Sequence, residues 1–393
     1  MNKFAIHHAR LILEGEILPE GYLVVEDGVI THLGAGECPV GDCEVIDAKG
    51  SYLSPGFIDL HLHGGGGHDF MDGTLEAYDQ ITRTHARYGT TAMVATTLTG
   101  TDEELMHTFE IFRQAKEQCT GGAALLGLHL EGPYFAYSQR GAQDPRYLKN
   151  PKREEYLDIL AKTDDIVRWS VAPELPGAME LGDELKKRGI VASVGHTDAI
   201  YEQVVEAHEH GYSLMTHFYS AMSSVTRRNA YRYAGAVEAG YMLDDMDVEI
   251  IADGIHLPKS LLQFVCKFKA HNRICLVTDS MRAAGMPDGH YLLGSLKQGQ
   301  EVVVEDGVAK LLDRSAFAGS VATTDRLVRT MTQIAELPLV EAIQMLTMNP
   351  ARVLGLADKK GSLAVGKDAD LVLFGEGVSV EMTVVKGKVV YKR

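Results

Sequence analysis

The chain has 393 residues, roughly 2.6 average domains at about 150 residues each, or one large α/β barrel with an appendage. Hydrophobic residues make up 45% and charged residues 23%, which excludes disorder, a collagen-like repeat and a coiled coil. A formal charge of −16, from 38 basic and 54 acidic side chains, excludes a general attraction to nucleic acid or anionic membranes. A phosphorylated ligand would need a local cationic pocket.

Charges run through the N-terminal stretch, so neither a signal nor a transit peptide is expected. No run of 18 apolar residues offers a membrane span. Next comes LVVEDGVITHLG, two alternating strands around the type I′ signal Asp27-Gly28. From residue 56 onward, eight apolar runs rich in β-branched residues read as buried parallel strands. They are GFIDLHLHG (56–64), TTAMVATTL (90–98), ALLGLHLEG (124–132), VRWSVAPE (167–174), IVASVGHTD (190–198), SLMTHFYSAM (213–222), VEIIADGIH (248–256) and ICLVTDS (274–280). Helical stretches separate them. One aligns Leu75, Tyr78, Ile81, His85 and Tyr88; another aligns Ile200, Val204, Val205 and His208 and stops at Gly211.

Strand and helix repeated eight times predict an α/β fold, a (β/α)8 TIM-type barrel spanning residues 56–360. The hairpin GQEVVVEDGVAKLL (299–312) reads as a loop inserted after the eighth strand. KDADLVLF and TVVKGKVVYK, turning at Lys386-Gly387, make the C-terminal end all-β. Residues 1–55 and 361–393 are each too short to bury a core alone, so they are expected to form one small discontinuous β-sandwich domain. Cys38, Cys43, Cys119, Cys266 and Cys275 form no C-x-x-C pair and read as free thiols in a reducing cytoplasm.

In such a barrel, polar residues at the C-terminal ends of strands are the catalytic candidates. His61 and His63 lie two apart, so both imidazoles point into the barrel mouth. Glu131 ends the third run, where a buried carboxylate is costly unless paired or bound to metal. His196, His217 and Asp279 occupy corresponding heights of the fifth, sixth and eighth runs. Imidazole and carboxylate groups suit Zn²⁺, Fe²⁺, Mn²⁺ or Co²⁺. Six such groups exceed one tetrahedral ion, so two neighbouring sites are expected, bridged by Glu131. Gly64 to Gly67 read as a thin loop permitting close approach of ligand or backbone to the metal.

The order H-x-H, E, H, H, D resembles the amidohydrolase superfamily. Within it, PGFIDLHLHGG, LGLHLEGPY, GAQDP, VGHTDA, THFYSAM, ADGIH and LVTDS resemble the N-acetylglucosamine-6-phosphate deacetylases. VRWSVAPE lacks the lysine that hydantoinase-like relatives use as a bridge, which leaves Glu131 in that place. The resemblance implies hydrolysis of N-acetylglucosamine 6-phosphate to glucosamine 6-phosphate and acetate, in amino-sugar catabolism or recycling. It implies one or two ions per subunit, Zn²⁺ or Fe²⁺, with Asp279 moving the proton and His256 stabilising the oxyanion or holding the sugar. It assigns phosphate to the Ser220 and Ala221 backbone amides and to an arginine among Arg227, Arg228 and Arg232. Arg228 is the best match, and it would reach a neighbour's site in a homodimer. Gln143 stands where the family has a substrate-contacting His, and Ser220 where it has Asn. The rival readings are an amidohydrolase for another N-acyl amino sugar, such as N-acetylgalactosamine 6-phosphate or an unphosphorylated sugar, and a non-catalytic scaffold.

Overall fold

The computed structural model describes residues 3–36, 38 and 43–393. All eight anticipated strands form: Phe57–Leu62, Thr90–Thr97, Ala124–Glu131, Ile166–Val171, Val191–Val194, Tyr212–Met215, Asp247–Ile251 and Ile274–Val277. They pair in parallel, each with its neighbour in chain order. Between the eighth and the first, the loop residues close the ring. Asp279 N donates to His61 O at 2.8 Å, and His63 N to Ser280 O at 2.8 Å. The first helix, Leu75–Ala86, is capped by the Thr74 hydroxyl and buries Tyr78, Ile81 and His85 against the barrel. Helix Tyr201–Glu209 buries Val204 and Ala207, leaves Val205 and His208 half-buried, and ends before Gly211 at φ +97°.

The chain ends meet in one eight-stranded mixed sheet. Tyr52–Pro55 pairs antiparallel with Leu371–Gly375, and this seam joins the two ends. Phe4, Ile6, Leu23, Leu53, Leu371 and Met382 share a separate apolar core. Asp27 and Gly28 both take positive φ, 49° and 83°, as a type I′ turn requires. Lys386 and Gly387 do likewise, at 46° and 74°. A Cβ on Gly28 would lie 2.8 Å from the Lys386 carbonyl oxygen, so the two turns abut and only glycine fits.

The insertion after the eighth strand is larger than a hairpin. Gly289–Leu293 adds a third strand beside Gln300–Glu305 and Val308–Leu311. Its alternation is weak, with only Leu293 fully buried, which is why periodicity missed it. The five cysteines are unpaired. Among the described residues no helix is long and apolar enough to cross a membrane.

Candidate active site

Each barrel strand hands over to its loop at the same end, and six ionisable side chains converge there. His61 lies in the first strand, His63 just beyond it, and Glu131 ends the third. His196, His217 and Asp279 each sit two residues past a strand, not within it, with left-handed backbone at φ 49°, 29° and 47°. Tyr219 and Ala221 add φ values of 79° and 50°. Such backbone costs non-glycine residues energy and clusters where a side chain must be aimed. All six groups are buried, in two triads: His61, His63 and Asp279, and Glu131, His196 and His217.

The second triad is three lone pairs without a proton among them. His196 Nδ1 donates to Gln139 O at 2.8 Å, and His217 Nδ1 to Ser220 O at 3.1 Å. In the neutral imidazoles both Nε2 atoms are therefore acceptors. They face each other at 3.1 Å and face Glu131 Oε1 at 3.3 and 3.2 Å. A tetrahedral ion with bonds of about 2.0–2.1 Å spaces its ligands about 3.3–3.4 Å apart. The triangle therefore matches one face of such a shell. In the first triad Asp279 Oδ1 lies 3.5 Å from His61 Nε2 and 3.2 Å from His63 Nε2. Glu131 reaches both triads, with Oε1 3.3 Å from His61 Nε2 and Oε2 3.3 Å from His63 Nε2. Both His61 ring nitrogens are buried without a hydrogen-bond partner.

Electrostatics repeat the demand for positive charge. Burial disfavours a charged His61, yet Asp279 and Glu131 outweigh it and push its pKa up to about 9. His63 is raised by the same two carboxylates against the same burial. Burial lowers His217. Protons on His61 and His63 thus balance two buried carboxylates, a task a divalent cation would take over. The donor set fits a borderline transition metal on both chemistry and spacing.

Beneath the site the barrel interior is polar, where branched aliphatic side chains usually fill it. Arg168 donates to both oxygens of Glu249, to Ser193 Oγ at 3.0 Å and to Thr216 Oγ1 at 3.0 Å. Glu249 Oε2 lies 3.6 Å from His61 Nδ1. Asp59 accepts from Thr278 Oγ1 at 2.6 Å, and His129 Nε2 pairs with Ser170 Oγ at 2.7 Å. The sequence analysis missed this layer. The signal was present: Asp59 and His129 precede His61 and Glu131 by two, so alternation points them inward too.

The site opens into a cavity of about 220 Å³. Gln143, Ser220, Ala221 and His256 line it, and Leu98, Ile251, Leu293 and Phe317 form an apolar wall. Asp253 Oδ2 accepts from His256 Nδ1 at 2.8 Å, which fixes that ring. Two expectations change, for Ser220 and for the glycine run. The Ser220 N–H donates to His217 O at 2.9 Å and so is not free for phosphate, whereas no acceptor meets the Ala221 N–H among the described residues. Arg228 lies outside the cavity, on the exposed hairpin Thr226–Arg228 and Tyr231–Tyr233, with its guanidinium 5.6 Å from the Tyr233 ring centroid. The glycine run does not face the cavity either. Gly64–Gly65 pairs with His68–Asp69, and a Cβ on Gly65 would lie 2.6 Å from His85 Nε2. Its thinness serves helix packing.

The model of the "Amidohydrolase family" matches residues 52–390. This chain belongs to that family. It is 33% identical over 386 residues to the N-acetylglucosamine-6-phosphate deacetylase of Bacillus subtilis, covering 97% of this chain and 95% of that one. It is 32% identical over 380 residues to the N-acetylgalactosamine-6-phosphate deacetylase of Escherichia coli, covering 96% and 97%. Among solved structures, a variant of the Mycobacterium smegmatis N-acetyl-D-glucosamine-6-phosphate deacetylase in complex with N-acetyl-D-glucosamine-6-phosphate superposes with a TM-score of 0.91. That match has 30% identity and covers 100% of both chains.

Proposed function

We propose that this amidohydrolase removes the N-acetyl group of N-acetylglucosamine 6-phosphate, releasing acetate and glucosamine 6-phosphate. The observation that carries the reading is the pair of buried triads sharing Glu131, with Asp279 on the cavity wall. His61, His63 and Asp279 would hold one ion, His196 and His217 the other, and Glu131 both. A divalent ion such as Zn²⁺ or Fe²⁺ supplies Lewis acidity there and acidifies water toward a pKa of about 7. Asp279 takes the proton of the attacking water and returns it to the departing nitrogen, which cannot leave as an amide anion. His256, oriented by Asp253, stabilises the developing oxyanion as an imidazolium or, as the neutral ring, holds the sugar by accepting from a hydroxyl at Nε2. The Ala221 N–H is the backbone donor available for phosphate.

The cavity lining contains no Lys or Arg among the described residues. A phosphate dianion therefore needs a cation from elsewhere, and Arg228 of a second copy supplies it in a homodimer. We place the enzyme in the cytoplasm, with residues 56–360 as catalytic barrel and residues 1–55 and 361–393 as the small β domain.

N-acetylgalactosamine 6-phosphate is the second reading. It is favoured by the Escherichia coli relative and by Ser220, which departs from the expected Asn. Acetate release from both phosphosugars and from the unphosphorylated sugar, with metal quantified in the same preparation, separates the readings. Turnover of none of the three would refute the proposal.

A further inference from the structure

Gln143 sits in the loop after the third strand, 6% exposed, between the cavity and the Thr99 backbone. Its Oε1 accepts from Thr99 N at 3.0 Å. Thr99 N–H can only donate, so the amide orientation is determined and the NH₂ group faces the site. There Nε2 donates to Glu131 Oε2 at 2.8 Å. Its own backbone N–H donates to Arg140 O at 2.9 Å, which anchors the residue from behind. The two oxygens of Glu131 are thus treated differently. Oε1 is the oxygen nearer to His61, His196 and His217, at 3.2–3.3 Å, while Oε2 is the oxygen nearer to His63, at 3.3 Å, and accepts from the Gln143 amide.

We propose that Gln143 is a positioning residue for Glu131 and not a contact to the sugar. A carboxylate oxygen offers two lone pairs, and the amide takes one from Oε2 and presents the other toward His63. This stops the carboxylate from rotating both oxygens into one triad. Gln143 thereby keeps Glu131 a bridge and sustains the site built on His61, His63 and Asp279. The inference rests on the metal-centre reading above.

The test compares wild type, Gln143→Met and Gln143→Ala, stripped with chelator and titrated with Zn²⁺. Gln143→Met is close to the amide in length, adds no charge and removes the donor to Glu131. Gln143→Ala is the second variant, and the metal-free melting temperature of each reports misfolding. Both variants are expected to take the first Zn²⁺ as wild type does and to bind the second about 10- to 100-fold more weakly. Co²⁺ loading should change the ligand-field spectrum in parallel. At saturating metal, KM for the phosphosugar should stay at the wild-type value. Zn²⁺ isotherms identical to wild type, with KM raised, would make Gln143 a sugar contact and overturn the inference alone. Wild-type protein that takes up no ion would overturn the metal reading and the inference together.

Discussion

The Arg168 guanidinium donates to both oxygens of the Glu249 carboxylate in the barrel interior, and neither side chain has any exposed surface. Glu249 also stands 3.6 Å from His61 Nδ1 and accepts from His217 N at 3.4 Å. One buried pair therefore stands behind the His61 ring and holds the backbone that carries His217. Burying two charges costs desolvation energy that only good geometry repays, so the pair is better explained by orientation than by stability.

Removing one partner strands the other charge without water. Glu249→Gln and Arg168→Met are each expected to lower unfolding free energy by about 3–5 kcal/mol. The double variant Arg168→Met/Glu249→Leu should lose much less than the sum. Urea unfolding of the three proteins measures this. Additive losses would show that the two groups act independently.

His85 predicts a pH dependence. Burial pushes its pKa down from the usual 6.5 to about 4, although the Gly64 carbonyl, 2.9 Å from Nε2, favours the charged form. As pH falls, the unfolded chain takes up this proton near 6.5 and the folded chain only near 4. Between those values the unfolded state holds more protons, so stability present above 6.5 is lost on acidification, by about 3 kcal/mol from this group. His85→Gln keeps an N–H for the Gly64 carbonyl but does not titrate. Its unfolding free energy should gain on that of wild type as pH falls from about 7 to about 4. Parallel stability curves would assign the acid lability to other groups.

The barrel was legible because buried parallel strands read as unbroken apolar runs, and all eight stand where those runs stand. His61 and His63 were legible because alternation decides their direction, and Glu131 because a carboxylate closing an apolar run is costly unless paired or bound to metal. His196, His217 and Asp279 were found at the right strand ends. Their aim, however, comes from left-handed backbone beyond the strands, which no periodicity encodes. The inward layer of Asp59, His129, Arg168 and Glu249 escaped because a lone polar letter in an apolar run looks like noise until its partner across the barrel is known. The role of Gln143 depends on the Thr99 amide, 44 positions away, a contact that no local pattern announces.

Chelation should destabilise the protein as well as silence it. Two carboxylates and four imidazoles lie buried in two adjoining triads. An ion that binds only the folded state contributes about 4 kcal/mol at a thousandfold excess over its Kd. Melting temperature should fall on treatment with chelator and return on adding Zn²⁺ or Fe²⁺. A melting temperature indifferent to both would mean that the triads hold no ion.

Asp279 Oδ1 contacts both His61 and His63, so its carboxylate is held at the mouth by the groups it would serve with. Asp279→Asn preserves shape but cannot accept a proton. Turnover should drop by about 10²–10⁴-fold or more while the ion of the Glu131, His196 and His217 site is retained. Near-normal turnover in that variant would take the proton-transfer role away from Asp279.

Arg228 provides a test of assembly. It stands on an exposed hairpin outside its own chain's cavity, and no Lys or Arg lines that cavity among the described residues. If a second copy's Arg228 reads the phosphate, Arg228→Ala should raise KM for the phosphosugar far more than for its neutral analogue. Complementation then tests whose site it completes. In a hybrid of Arg228→Ala and Asp279→Asn subunits, the first subunit keeps Asp279 and receives Arg228 from the second. A random mixture of the two should therefore recover about a quarter of wild-type sites, because a two-fold dimer exchanges the same surface in both directions. If Arg228 served its own chain's cavity, no hybrid would hold an intact site and mixing would recover nothing.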